Sequence, residues 1–116
     1  MYNYNQLDEN KCEFVAVAGV KELGNGERLF VDIDDLTIAL FNIAGQYYAI
    51  ADVCSHDDGP LGEGRLESFE IICPRHGARF DVRNGHVLAL PAIVDIPAYP
   101  VRVNDGQIEI GIPNSE

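Results

Sequence analysis

The sequence predicts an all-β domain. Short runs of β-branched and aromatic residues recur between turn signals, several alternate at period two, and no stretch carries the apolar spacing of a long amphipathic helix. The first run is Phe14–Val17, and VKEL after it, Val20–Leu23, has room for one helical turn. Glu27–Ile33 puts Leu29, Val31 and Ile33 on one face, and Leu36–Ile43 does the same with Leu36, Ile38 and Leu40. Asp34-Asp35 between these runs, and Ala44-Gly45 before Gln46–Asp52, have the length of tight hairpin turns. Arg65–Leu66, Glu70–Ile72 and Arg79–Val82 are shorter, and Asn84-Gly85 offers a turn in which positive φ is tolerated at both positions. YPVRVNDGQIEIGI reads as a closing hairpin, Tyr99–Asn104 and Gln107–Ile112 joined at Asp105-Gly106.

A chain of 116 residues with 47% hydrophobic content suits a single domain, 1–116, with an ordinary core. It contains no internal repeat and no low-complexity tract. No apolar run approaches the roughly 20 residues needed to cross a bilayer, so no membrane role is expected. MYNYNQLDENK lacks the basic-then-apolar pattern of a secretion signal, and the expected location is the cytoplasm. A net charge of -11 argues against nucleic acid, which needs lysine and arginine to displace its counterions. The same charge favours encounters with basic protein surfaces and keeps a monomer soluble.

Three cysteines in a reducing compartment point to metal ligation or catalysis before disulfides. Cys12 has no histidine near it in sequence and reads as an ordinary thiol on the first strand. The other two are each paired with a histidine: CSHDDGPLGEG holds Cys54 and His56, and CPRHGARFD holds Cys73 and His76. Both pairs follow short strands and open loops, where rigid strand ends can bring them together on one ion or cluster. Three chemistries compete for this set. A structural zinc site would use two cysteines and two histidines in a tetrahedron, but zinc ribbons build on paired C-x-x-C turns and zinc fingers put both cysteines first. A catalytic Cys–His pair would leave two ligand-type residues unexplained. A Rieske [2Fe–2S] centre uses two cysteines on one iron and two histidines on the other, which suits loops that each supply one of each.

The two boxes resemble the cluster loops of the Rieske family, and the region from about Phe14 to Ile112 resembles its soluble, oxygenase-associated ferredoxins. That resemblance implies stacked antiparallel sheets with a small rubredoxin-like subdomain, about residues 53–83, at one tip. It implies that Cys54 and Cys73 hold a buried iron and His56 and His76 an outer iron at the solvent edge. It also implies a covering loop with a proline, for which ALPAI with Pro91 is the match. Gly59, Gly62 and Gly64 are expected to let the first loop bend and bring N–H groups towards sulfur, as Gly77 does in the second, with Pro74 stiffening that turn.

Departures from the respiratory branch of the family are informative. Its extra cysteine in each loop, which forms a bracing disulfide, is replaced by Asp58 or its neighbour and by Arg75, so no such disulfide brace is expected. Its serine and tyrosine donors after the second box are replaced by Ala78 and Phe80. Fewer donors to sulfur leave the reduced cluster less stable, which predicts a potential near the low end of the Rieske range, roughly -150 mV.

With His56 and His76 used, only His86 remains among the histidines, so the chain cannot also build the mononuclear iron site of an oxygenase. His86 reads as an exposed turn residue. The resemblance therefore implies a one-electron carrier, not a catalyst. Such a carrier takes electrons from an NAD(P)H-dependent flavoprotein reductase and passes them to a ring-hydroxylating non-haem iron oxygenase. Transient docking is expected through Pro60, Leu61 and Pro91. The alternatives are a small subunit of an assimilatory nitrite reductase and a structural or sensing module whose cluster never turns over.

Overall fold

In a computed structural model, which describes residues 11–114, the chain forms three antiparallel sheets. The strands in chain order are β1 (Cys12–Gly19), β2 (Arg28–Ile33), β3 (Leu36–Ile43), β4 (Gln46–Ala51), β5 (Arg65–Glu67), β6 (Glu70–Ile72), β7 (Arg79–Asp81), β8 (Val87–Ala89), β9 (Ala98–Tyr99), β10 (Val101–Asn104) and β11 (Gln107–Pro113). The sheets have the orders β1-β11-β10, β2-β3-β4-β9 and β5-β6-β7-β8. A short 3-10 turn at Val20–Glu22 occupies the VKEL segment. Among the described residues no helix is long and apolar enough to cross a membrane.

The expected hairpins form with the expected turns. Ile33 pairs with Leu36, Ile43 with Gln46 and Asn104 with Gln107, each across two residues of positive φ. Those residues are Asp34 and Asp35, Ala44 and Gly45, and Asp105 and Gly106, a geometry whose twist matches the flanking strands.

β3 explains how the layers stack. Its sequence suggests one apolar face, yet Ile38, Ala39, Leu40 and Phe41 are all buried. Ile38 and Leu40 pack with Ala18, Ile108, Ile110 and Ile112, between the first and second sheets. Ala39 and Phe41 point the other way, into a second core with Ile50, Leu61, Ile71, Phe80 and both loop cysteines. The middle sheet is therefore covered on both sides, so β3 is apolar at four successive positions, Ile38 to Phe41, rather than at alternate ones. Burying Phe41 or Ile38 so completely contributes about 1.5–3 kcal/mol each before entropy is counted.

Two expectations change, and one strand is added. Tyr99–Asn104 is not one strand: Pro100, which has no N–H to give a ladder, separates β9 in the second sheet from β10 in the first. The Asn84-Gly85 turn has positive φ only at Gly85, because five residues rather than two connect β7 to β8. The Asp81 carbonyl accepts the Gly85 N–H at 2.7 Å, and a Cβ at Gly85 would run into the Ile96 carbonyl oxygen. β8 itself carries no clear sequence signal, being three residues long with Leu88 exposed at its centre.

Candidate metal centre

The first ligand loop starts where β4 ends. Asp52 turns the chain back on itself, its Oδ1 accepting the N–H of Leu61 at 2.9 Å and of Gly62 at 2.6 Å. From β2, Arg28 donates to the carbonyls of Gly62 and, at 2.7 Å, Gly64. The far half of the loop is thus tied to two strands of the middle sheet. Neither residue stands out in the sequence, since both partners are backbone atoms.

The two loops share one backbone design. Cys54 donates its N–H to the Gly59 carbonyl at 2.8 Å and accepts from the Asp58 N–H at 2.7 Å. Cys73 donates to the Ala78 carbonyl at 2.7 Å and accepts from the Gly77 N–H at 3.1 Å. In each turn the residue four after the cysteine is left-handed, Asp58 at φ 61° and Gly77 at φ 78°. The C-x-H and C-x-x-H spacings therefore hang different rotations of the imidazole on the same knuckle.

The glycines of the first loop serve a purpose other than the bending expected of them. Its left-handed position belongs to Asp58, a residue type that tolerates αL. Gly62 and Gly64 are required by close approach instead: a Cβ would meet Phe30 and Ala39 at Gly62, and would fall on the Ile72 carbonyl at Gly64. Gly77 has the left-handed φ that its place in the motif suggests.

All four candidate ligands converge, and in a polarised way. Cys54 and Cys73 are buried in the core shared with Leu61, Ile71, Ala78 and Phe80. His56 and His76 are exposed, with ring centroids 5.1 Å apart and planes at 86°. The two sulfurs lie within 4.8 Å of each other and of an Asp57 carboxylate oxygen, and the two imidazoles fall within the same limit of each other and of Asp57. A sulfur pair inside and a nitrogen pair outside fits a two-iron cluster with unlike ends better than one tetrahedral zinc. Burial pushes the Cys54 thiol up, and the backbone N–H groups of His56 and Asp57 at its sulfur partly offset that.

Between the loops stands an ion pair that the boxes did not announce. Arg75 donates from Nε to Asp57 Oδ2, from Nη2 to Asp57 Oδ1 at 2.9 Å, and from Nη1 to the Pro60 carbonyl at 2.7 Å. Where the respiratory branch has a disulfide, the cysteines here are free thiols and a forked charge pair joins one loop to the other. The Asp57 carboxyl is held well below the usual carboxylate range, chiefly by the Arg75 guanidinium. Gly59 leaves the space for it, since a Cβ there would come within 2.7 Å of the Arg75 Cζ.

The segment after β8 lies over the cysteine side. Ala92 and Ile96 join the core that contains Cys54 and Cys73, and Ser55 Oγ donates to the Val94 carbonyl. The Leu90–Pro91 peptide bond is cis. Leu90 and Ile93 stand 75% and 78% exposed on this segment, beside exposed Leu88 and Val94. Leu61, expected at a docking surface, is fully buried against the cysteine core and cannot touch a partner. His86 is an exposed turn residue, its N–H bonded to Asn84 Oδ1 at 2.9 Å. Cys12 is buried on β1.

Twin knuckles that bury two thiols and expose two imidazoles at the tip of a layered β structure define a protein of the mixed thiolate–imidazole iron–sulfur class. The model of the Rieske [2Fe-2S] domain matches residues 13–100, and the chain belongs to that family. Its cofactor is accordingly a Rieske-type [2Fe–2S] cluster. The chain is 41% identical over 98 residues to the 3-phenylpropionate/cinnamic acid dioxygenase ferredoxin subunits of Escherichia coli and Shigella flexneri, spanning 84% of this chain and 92% of theirs. The ferredoxin of carbazole 1,9a-dioxygenase from Nocardioides aromaticivorans superposes with a TM-score of 0.80 at 34% identity, over 87% of this chain and 98% of that one. A chain in a complex of reduced oxygenase and oxidized ferredoxin in carbazole 1,9a-dioxygenase gives the same score at 27% identity, over 89% and 97%.

Proposed function

We propose that this chain is a one-electron carrier that holds its cluster through Cys54, His56, Cys73 and His76. In this reading it receives electrons from an NAD(P)H-dependent flavoprotein reductase and delivers them to a ring-hydroxylating non-haem iron oxygenase. The bound cluster supplies a centre that gains and loses one electron. The observation that carries the reading is the polarity of the site: thiols fully enclosed, imidazoles open to a partner. Cys54 and Cys73 keep water from the sulfur side, and His56 and His76 form the edge through which an electron enters and leaves. The similarity to ferredoxin subunits of dioxygenases supports an oxygenase as acceptor. The chain itself performs no substrate chemistry.

Docking is transient and centres on the exposed tip. Pro60 and half-buried Pro91 remain candidates, and the uncharged ridge of Leu88, Leu90, Ile93 and Val94 takes the place of Leu61. Residues 1–116 act as one domain, with the cluster-binding part at about 53–83, and the protein works as a cytoplasmic monomer. A nitrite reductase subunit gains no support, because the full ligand set is intact and converges.

The test is a visible spectrum with iron and acid-labile sulfide assays on the purified protein, followed by reduction with NADH and a flavoprotein reductase. Two irons and two sulfides per chain, lost on Cys54→Ser or His76→Ala, are expected. A colourless protein holding one zinc would overturn the reading.

A further inference from the structure

The strongest unexplained feature is the charge pair between the ligand loops. Arg75 sits between Pro74 and His76, and Asp57 follows His56 directly, so the pair joins positions adjacent to both imidazoles. Three hydrogen bonds tie the guanidinium to the opposite loop, two to Asp57 and one to the Pro60 carbonyl. Asp57 is itself fixed by accepting the Gly59 N–H at 3.0 Å. Its carboxylate comes within 4.8 Å of the sulfur pair and of the imidazole pair. Gly59 is bare where the guanidinium passes.

We propose that the Asp57–Arg75 pair is an electrostatic clasp that positions His56 and His76 relative to each other and thereby governs how firmly the cluster is retained. This deepens the assignment of Cys54, His56, Cys73 and His76 as ligands and rests on it. A forked guanidinium–carboxylate contact fixes both distance and plane, which a single point charge does not. Both partners are partly open to water, so the clasp weakens as salt screens it, and retention becomes dependent on ionic strength. Both groups are charged and beside the sulfur and imidazole pairs, so removing either one also changes the field there.

The experiment compares wild type, D57N, R75Q, R75K and the double variant D57N/R75Q. Iron and sulfide content, the rate of cluster loss to a chelator and the midpoint potential are measured at low and high salt. Each single neutralisation is expected to speed cluster loss about fivefold at low salt, and the double variant is expected to lose it no faster than either, because the two act as one unit. R75K, with the charge but not the fork, should fall between. The midpoint should rise in D57N, which removes a negative charge, and drop in R75Q, which removes a positive one. Wild-type loss rates in both single variants, additive losses in the double, or midpoints that move in the same direction would overturn the clasp. Wild type lacking iron and sulfide would instead overturn the ligand assignment, so the two failures are told apart.

Discussion

Asp58 and Gly77 occupy the same left-handed position of two matching turns, each four residues after a cysteine. The first turn meets this conformation with an aspartate and the second with a glycine. A Cβ at Gly77 meets nothing within 4 Å, so the cost of adding one is conformational and not steric. Gly77→Ala is therefore expected to destabilise the protein by about 1–2 kcal/mol, read as a lower melting temperature and faster cluster loss. Asp58→Gly should show no such loss. An unchanged melting temperature in Gly77→Ala would mean that the second knuckle relaxes out of its αL geometry.

Gly64 tests steric rather than conformational need. Its φ is not left-handed, yet a Cβ would fall on the Ile72 carbonyl just before Cys73. Gly64→Ala must push the first ligand loop away from β6. The expected result is a destabilisation of about 1–3 kcal/mol by denaturant titration, with reduced iron content as purified. Full iron occupancy with wild-type stability would contradict so close an approach.

The strands legible in the sequence were those whose alternation and turn residues are local. β2, β3, β4 and β11 announce themselves through Leu29, Val31, Ile33 and the two-residue turns at Asp34, Ala44 and Asp105. The pairing of β1 with β11, at the other end of the described chain, has no local signature, and neither has the second buried face of β3. At the site, the four ligands are legible because cysteine and histidine have few other reasons to recur at short spacing. Asp57, Arg75, Asp52 and Arg28 are not, because charged residues in loops and at strand ends are ordinarily solvent-facing and only contacts across the fold give these their roles. Leu61 departs from its expected place at a docking surface because a hydrophobic residue between Pro60 and Gly62 looks like a loop tip, whereas the loop folds inward there.

Stability should fall in acid partly through Asp81. Burial works against its ionisation, but the guanidinium and the backbone N–H of Arg83 outweigh that and leave its carboxyl below the ordinary range. Asp95 is lowered in the same direction, chiefly by the Val87 N–H it accepts at 2.9 Å. A carboxyl whose folded pKa is depressed stabilises the fold above its unfolded pKa of about 3.9, and that contribution is lost as pH falls through the folded value. The melting-temperature advantage of wild type over Asp81→Asn should accordingly shrink as the pH falls from about 5 to about 2. A constant difference across that window would show that the Asp81 charge adds nothing to folding.

The exposed apolar residues of the segment that Ser55 ties to the first ligand loop predict a partner-specific defect. Leu90 and Ile93 are about three-quarters exposed, so Leu90→Ser and Ile93→Ser should change stability by less than about 0.5 kcal/mol. The visible spectrum should be unaltered. Electron delivery to an oxygenase should slow by about tenfold or more if these side chains are buried at the centre of the contact. The measurement is oxygenase turnover with the carrier limiting, alongside reduction of the carrier by an added flavoprotein reductase. Unchanged turnover in both variants would move the docking surface off this ridge.

The second knuckle also sets an expectation for the reduction potential. Ala78 and Phe80 are both fully buried, so no side-chain hydroxyl stands at these two places after Cys73. Each missing hydrogen bond leaves negative charge on the reduced cluster unrelieved, and the midpoint should lie near the low end of the Rieske range, roughly -150 mV. Restoring a donor should reverse this. Ala78→Ser and Phe80→Tyr are each expected to raise the midpoint by up to about 60 mV, since about 1.4 kcal/mol of preferential stabilisation of the reduced state corresponds to 59 mV in a one-electron couple. Protein-film voltammetry of wild type and both variants reads this directly. A wild-type midpoint well above zero, or variants that leave it unmoved, would mean that other groups supply the hydrogen bonds to sulfur.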